Sequence, residues 1–178
     1  MPTITHITAR EVFDSRGRPT VEAEVTCAGG RACRAIAPSG ASTGTAEACE
    51  LRDGGSRLGG NGVRQAVNHV RSEIAAAIVG MDAAQQSVLD ERLTALDGTP
   101  NKSRLGANAI LSASIASAYA AADAVGRTPV EHFHHVWQHE HGGTNLAPAL
   151  PLPMVNMISG GKHAGGQLQF NGRRVLVG

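Results

Sequence analysis

The chain has 178 residues, a length that suits one domain or one domain with the beginning of another. Apolar residues make up 42% and charged residues 17% of it, proportions typical of a globular protein and unlike those of a disordered or fibrous chain. A formal charge of +1 provides no broad attraction for nucleic acid or anionic lipid, so we expect a small-molecule partner, no nucleic acid and no membrane.

No segment of the sequence has the pattern of a targeting peptide or a membrane span. The first residues lack a basic stretch that leads into an apolar run, and no run approaches the roughly 18 apolar residues that cross a bilayer. We therefore expect a cytoplasmic protein. The three cysteines, Cys27, Cys33 and Cys49, lack the paired spacing of a zinc site or a disulfide framework, which predicts reduced and mostly buried thiols.

The first 37 residues predict three short strands. Alternation of apolar and polar side chains indicates strands over about Ile4–Phe13, Thr20–Thr26 and Arg31–Ala37. Turn-forming residues occupy 14–19 and 28–30, and connections this short favour antiparallel pairing. The sequence therefore predicts an antiparallel meander.

The apolar spacing then changes to that of helices. Residues 66–77 predict a helix that ends before Gly80. A second helix is predicted over about Ala83–Leu96, with Asp82 and Gln85 as a capping box at its start.

Two further helices follow. An Ala-rich and Ser-rich segment over Gly106–Val125 predicts a helix whose small side chains permit close packing. Thr128 and Glu131 form a second capping-box pair, which starts a last predicted helix that ends at about His139. The meander and helices together predict an α+β fold.

A boundary is predicted after the last helix, so that residues 1–141 form the first domain. Residues 142–150 contain Gly, Asn and Pro without an apolar period, which is typical of a linker. Residues 151–178 begin with an apolar strand predicted over Met154–Ile158, and a single strand cannot satisfy its own backbone hydrogen bonds. We expect this to be the incomplete start of a second domain.

Several segments, in order, resemble the enolase (phosphopyruvate hydratase) family over residues 4 to about 170. The segments are REVFDSRGRPTVE at 10–22, APSGASTG at 37–44, ELRDG at 50–54, LDGTPNKSRLGANAIL at 96–111, LPLPMVN at 150–156 and GGKHAGG at 160–166. The resemblance implies an N-terminal α+β domain that precedes a (β/α) barrel, of which this chain would hold only the first strand.

The resemblance also implies an activity. It is the Mg²⁺-dependent, reversible dehydration of 2-phosphoglycerate to phosphoenolpyruvate in glycolysis, carried out by a lyase that is commonly a homodimer. The implied cofactor is Mg²⁺ and the implied partner is a small phosphorylated carboxylate. Superfamily sites of this kind use a Lys or His base with one or two Mg²⁺ ions.

Two loops carry the candidate site. Small and hydroxyl residues over 39–44 let the backbone approach an anion, although an ordinary strand-to-helix loop has a similar composition. The resemblance implies a mobile lid in which Ser39 is a Mg²⁺ ligand and Gly40, Ala41 and Ser42 contact substrate. It assigns His163 to a second substrate-contacting loop, where an exposed histidine without function is the alternative.

The sequence departs from the family after Gly166. The resemblance places the family's substrate-contacting Glu at Gly172, so we assign no catalytic residue in this chain. We expect a truncated chain that lacks the Lys base and the acidic Mg²⁺ ligands and is inactive alone. The alternative is a non-catalytic interaction module that docks on a separate barrel chain or on another protein.

Other charged and polar residues have mainly architectural interpretations. Five histidines lie within ten residues, and metal binding is conceivable there, but their spacing favours surface placement: His132, His134, His135, His139 and His141. Seven residues of the enolase-like segments are interpreted as turn and ion-pair residues: Asp14, Arg16, Glu22, Glu50, Arg52, Asp53 and Asp97. Asn101 or Ser103 is expected to cap the Ala-rich helix.

Overall fold

The computed structural model describes residues 1–40, 44–142 and 147–155, together with the backbone of 169–170 and 173–174. The chain divides into two units, Met1–Leu146 and Ala147–Gly178. Among the described residues no single helix is long and apolar enough to cross a membrane. The helices Ala107–Ala124 and Pro129–Glu140 reach that length and composition only as a pair bent by 104°.

Three strands form an antiparallel sheet in the order β1-β2-β3, with β1 at Ile4–Phe13, β2 at Pro19–Cys27 and β3 at Ala32–Ile36. The register places Ala9 opposite Ala23 and Ala23 opposite Ala35, and all three side chains are buried. Charged residues alternate with them along the strands, so one face of the sheet is apolar. The predicted meander is confirmed.

The apolar face of the sheet is covered by helices. The longest that the structure describes, α4 at Ala107–Ala124, packs across β2 and β3. Its alanines allow the helix to pack close to the sheet, because small side chains let the helix and strand backbones come near each other. The α+β arrangement predicted from the sequence is therefore confirmed.

The helix predicted over residues 66–77 is a continuous helical segment with an irregular middle. It consists of α1 at Arg64–His69, a π-helical turn at Val70–Ile74 and α2 at Ala75–Ile78. Its apolar side chains are buried in the same cluster as those of the sheet. The helix ends before Gly80, as predicted, and Gly80 has φ +92°.

The predicted start of the next helix is wrong. Helix α3 covers Gln86–Asp97 and has Gln85 as its N-cap residue, with no side-chain cap. Asp82 Oδ1 instead accepts a hydrogen bond of 3.0 Å from the Ala84 amide. The reason is that the backbone near Asp82 pairs with the N-terminus: the Ala83 amide donates to the Pro2 carbonyl at 3.0 Å, which keeps this segment out of the helix.

Helix α5, at Pro129–Glu140, begins as the sequence predicts. Thr128 Oγ1 accepts a hydrogen bond from the Glu131 amide at 3.3 Å, and Glu131 Oε2 accepts one from the Thr128 amide at 2.7 Å. This is a complete capping box. Hydrogen bonds from Thr128 also hold the pKa of the Glu131 carboxyl below its usual range.

The three cysteines differ in burial, so the prediction of mostly buried thiols is only partly right. Cys27 is buried, Cys33 is half-buried and Cys49 is exposed, and all three are free thiols. Burial raises the pKa of the Cys27 thiol to about 11, which keeps it protonated at neutral pH.

Residues 147–155 belong to the second unit and contain neither helix nor strand. The strand predicted over Met154–Ile158 is therefore wrong at Met154 and Val155, which are exposed; residues 156–158 lie outside the described residues. Two short strands, β4 at Gln169–Phe170 and β5 at Arg173–Arg174, pair antiparallel. The domain boundaries proposed from the sequence remain a prediction.

Candidate functional site

Ser39 lies just beyond β3, where the chain leaves the sheet. The segment is anchored at Ala37, whose amide donates to the Val21 carbonyl at 3.2 Å and whose carbonyl accepts from Thr20 Oγ1 at 2.5 Å. Ser39 is buried and Gly40 is exposed. The start of the predicted loop is therefore held against β2.

The turn between β1 and β2 reaches the same place. Asp14 Oδ1 accepts hydrogen bonds from the backbone amides of Arg16, at 2.8 Å, and Arg18, at 2.9 Å. These bonds, with that from Arg18 the largest contribution, lower the pKa of the Asp14 carboxyl. The ordered turn allows the Arg16 guanidinium to donate to the Ser39 carbonyl oxygen.

A third segment brings two charged side chains to the Ser39 hydroxyl. Leu51 is fixed to the start of α4, because its amide donates to Asn108 Oδ1 and its carbonyl accepts from Asn108 Nδ2, both at 3.1 Å. Glu50 and Arg52 stand on either side of Leu51 in the chain, and both contact the Ser39 hydroxyl.

The Ser39 hydroxyl is engaged both as donor and as acceptor. Its Oγ donates to Glu50 Oε2 at 2.7 Å and accepts from the Arg52 guanidinium. The same Arg52 nitrogen donates to Glu50 Oε2 at 2.5 Å. The other terminal nitrogen of Arg52 donates to the carbonyls of Pro19, at 2.6 Å, and Asn61, at 2.8 Å. Arg52 thus joins three chain segments.

An open cleft of about 470 Å³ lies over this triad of Ser39, Glu50 and Arg52. Two cationic and two anionic side chains line it, among small residues that leave the backbone accessible. The lining residues are Arg18, Ser39, Gly40, Gly44, Glu47, Ala48, Cys49, Glu50, Arg52 and Asn61. A cleft with both guanidinium and carboxylate groups can bind and orient a charged small molecule.

The Ser39 hydroxyl does not fit a Mg²⁺ ion in this conformation. Mg²⁺ needs oxygen ligands with free lone pairs, whereas the Arg52 guanidinium donates to both the Ser39 oxygen and Glu50 Oε2. A cation placed between these oxygens would lie against the guanidinium and be repelled by it. Metal binding by Ser39 would require Arg52 to move away.

The structure brings together some of the predicted site residues. Ser39 and Gly40 line the cleft, whereas Ala41, Ser42, His163 and Gly172 lie outside the described residues. Glu50 and Arg52 were interpreted from the sequence as architectural, and their contact with Ser39 was missed. The available signal was their opposite charge at a spacing of two in a segment without helical period.

The remaining charged residues of the enolase-like segments have structural contacts. Asp53 accepts hydrogen bonds of 2.9 Å from the amides of Arg64 and Gln65 and so caps α1. Glu22 pairs with Arg10 across the sheet at 2.6 Å. Their architectural interpretation agrees with these contacts.

Asp97 organises the loop that precedes α4. Its carboxylate accepts hydrogen bonds from the Thr99 amide at 3.0 Å and from the Leu105 amide at 2.7 Å. Burial opposes ionisation of Asp97, but the bonds from Thr99 and Leu105 outweigh it and lower its pKa. The predicted cap by Asn101 or Ser103 is wrong, because α4 has Gly106 at its N-cap and no side-chain cap.

The histidine-rich segment is not uniformly at the surface. His132 is buried, contrary to the prediction, and neither of its ring nitrogens has a hydrogen-bond partner among the described residues. Trp137 stacks between His134 and His141, with ring centroids 6.5 Å and 5.3 Å apart. Within the described residues, no group of three or more His, Cys, Asp or Glu side chains is placed to hold a metal ion.

The fold and the cleft define a class of protein. A three-stranded antiparallel meander followed by packed helices, with a charged cleft where the chain leaves the last strand of the meander, is an α+β domain. The family model of the enolase N-terminal domain matches residues 4–133, which is most of the chain. The chain therefore belongs to the enolase family through this domain.

Proposed function

We propose that the chain serves the enolase reaction, the reversible dehydration of 2-phosphoglycerate to phosphoenolpyruvate. The observation that carries the proposal is the charged cleft at Ser39 in a domain of the enolase family. Its Arg18 guanidinium suits a small phosphorylated carboxylate, because a guanidinium group binds phosphate and carboxylate oxygens in pairs. The terminal nitrogens of Arg52 are already engaged within the chain, so Arg52 shapes the cleft and adds positive charge to it.

The proposed role of this domain is binding and orientation. Glu50 is held by both the Ser39 hydroxyl and the Arg52 guanidinium, so it is a poor choice for a proton acceptor. We expect the proton-transfer groups and the ligands of the family's Mg²⁺ in a barrel domain. When bound, Mg²⁺ would stabilise the negative charge that develops on the substrate carboxylate.

The test measures phosphoenolpyruvate by its ultraviolet absorbance, with 2-phosphoglycerate and Mg²⁺ present. We expect no turnover by the purified chain alone and measurable turnover when an enolase barrel without its own N-terminal domain is added. Turnover by the chain alone, at a rate that does not change on repurification, would disprove the proposed dependence on a barrel.

A matched pair of variants connects the activity to the cleft. Ser39→Ala removes the hydroxyl and leaves the Glu50–Arg52 ion pair in place, so the domain should stay folded. We expect it to lower the combined activity by about tenfold or more, the usual effect of losing one polar group at a site. Ser72→Ala is the control and should leave the activity unchanged, because Ser72 is exposed and its hydroxyl donates to the Asn68 carbonyl of the same helical segment.

A second candidate is a non-catalytic interaction module, and exposed apolar side chains on α5 favour it. Val130, Phe133 and Trp137 are 65%, 44% and 40% exposed, and their spacing places them along one side of the helix. We propose that the barrel is the partner that covers them. If Trp137→Ala abolishes co-elution with the barrel while Ser39→Ala retains it, docking through α5 is supported; co-elution unchanged by Trp137→Ala contradicts it.

A further inference from the structure

A second charged groove lies between β1 and α1 and shares no lining residue with the Ser39 cleft. It has a volume of about 350 Å³, which is enough for a small ligand. Four guanidinium groups, those of Arg10, Arg57, Arg64 and Arg71, and one carboxylate, that of Glu11, line it. Because the whole chain has a formal charge of only +1, this is a local concentration of positive charge.

Two of the four guanidiniums are already neutralised. Arg57 binds Glu11 through both terminal nitrogens, with one contact at 3.0 Å, and this pairing is the largest cause of a lowered pKa at Glu11. Glu11 also accepts from the Val63 amide at 2.8 Å, so its oxygens are occupied. Arg10 pairs with Glu22 at 2.6 Å. These contacts hold Glu11 ionised and fix one side of the groove.

The other two guanidiniums form no ion pair with a carboxylate in the part of the chain that the structure describes. Arg71 Nε donates to the Ala9 carbonyl at 2.7 Å, which orients the side chain and leaves its terminal nitrogens available. The Arg64 side chain makes no hydrogen bond to a described residue, and only its longer-range charge acts on Glu11. Arg64 and Arg71 are seven residues apart, two turns along the same side of the helical segment. Two positive charges are therefore left without a paired counter-charge.

We propose that this groove binds the phosphoryl dianion of a small phosphorylated molecule, with Arg64 and Arg71 as its ligands. A dianion matches the two unpaired charges, and guanidinium groups bind phosphoryl oxygens through paired, charge-assisted hydrogen bonds. The site adds to the proposed enolase function and does not depend on it.

The test measures binding of inorganic pyrophosphate to the full chain by isothermal titration calorimetry at low salt. We expect saturable binding that Arg64→Gln weakens about tenfold or more, the effect of losing one charge-assisted interaction. The Arg64 side chain makes no hydrogen bond or ion pair to a described residue, so the variant should keep the thermal midpoint of the wild type. Arg92→Gln, an exposed arginine on α3, is the matched control and should change the affinity less than about twofold.

Three results would overturn the proposal. One is the absence of saturable pyrophosphate binding, and another is equal weakening by Arg64→Gln and Arg92→Gln, which would indicate general charge attraction. The third is tighter, Arg64-dependent binding of poly-glutamate than of pyrophosphate, which would assign the groove to an acidic polypeptide. None of these assays measures turnover, so the enolase proposal can fail or stand separately.

Discussion

Gly106 shows how one residue without a side chain positions the site. It has φ +96° and ψ 131°, a conformation that only glycine adopts readily. A Cβ atom here would lie 2.5 Å from Asn108 Oδ1 and 2.6 Å from Leu51 Cβ, so it would displace the hydrogen-bonded pair that holds Glu50 and Arg52 beside Ser39. Glycine is therefore needed at this position both to adopt the backbone conformation and to leave room for the contact between Leu51 and Asn108 beside the cleft.

We predict that Gly106→Ala lowers the free energy of unfolding by roughly 2 to 4 kcal/mol, from backbone strain plus overpacking. Urea denaturation measures the loss. Gly126→Ala is the control: Gly126 has φ +69° and no atom within 4 Å of its added Cβ, so only the backbone cost of about 1 kcal/mol is expected. Equal losses in both variants would show that the contacts of Gly106 with Asn108 and Leu51 are unimportant.

His132 makes stability depend on pH. Burial is the largest cause of its pKa being lowered from the usual 6.5, with smaller contributions from Arg127 and His135. The unfolded chain therefore takes up a proton before the folded protein does as the pH falls. The stability that depends on neutral His132 is fully present above the pKa of this histidine in the unfolded chain, about 6.5. It is lost as the pH falls from there to the lower pKa of His132 in the folded protein.

We predict that His132→Leu, which keeps an apolar side chain in the buried site but cannot titrate, reduces the loss of stability between about pH 7.5 and pH 5. Urea midpoints at the two pH values give the measurement. His139→Gln is the control because His139 is exposed, and its pH dependence should match that of the wild type. An unchanged loss in His132→Leu would mean that the carboxylates alone account for the acid sensitivity.

At the scale of elements, α4 determines how closely the helices approach the sheet. The helix packs across β2 and β3, and fully buried alanines lie along it, among them Ala109, Ala113, Ala116 and Ala120. Such an interface has no space for longer side chains, since protein interiors are packed to near crystal density. The sheet register supplies matching alanines on all three strands.

We predict that Ala116→Leu lowers the free energy of unfolding by roughly 1 to 3 kcal/mol through overpacking. Thermal unfolding followed by circular dichroism is the measurement. Ala76→Leu, at an exposed position of α2, should change stability by no more than about 0.5 kcal/mol. If Ala116→Leu is equally neutral, the interface between α4 and its neighbours is looser than its burial indicates.

At the scale of the whole molecule, the apolar core formed by the described residues lies within the first unit. The cluster of buried apolar side chains begins at Ile4 and ends at Ala121, and in residues 147–155 of the second unit the apolar side chains are exposed. An independent core of this kind is what allows a domain to fold alone.

We predict that a chain of residues 1–142 unfolds within about 0.5 kcal/mol of the full chain, because it keeps every member of that cluster. Urea denaturation compares the two. A chain of residues 1–126 is the control, since it also removes α5 with the buried His132 and should be clearly less stable. A large loss in residues 1–142 would indicate that the second unit contributes to the core.

Local patterns predicted most of the elements, and long-range contacts account for the errors. The Thr128 capping box and the meander were predicted correctly because both depend on residues close in sequence. The capping box predicted at Asp82 was wrong because the backbone there pairs with Pro2 and Thr3 at the N-terminus. The sheet and the first helical segment lie between these two places in the chain. Propensity cannot anticipate a partner so distant in the chain.

By itself, the sequence determined the α+β class, the three strands, the order of the helices and the family. These depend on apolar periodicity, turn residues and motifs that are local in the chain. Only the tertiary structure decided that Glu50 and Arg52 engage the Ser39 hydroxyl and that Arg64 and Arg71 form no ion pair among the described residues. Which charges meet depends on how separate elements pack, and packing is set by the whole core rather than by neighbours in sequence.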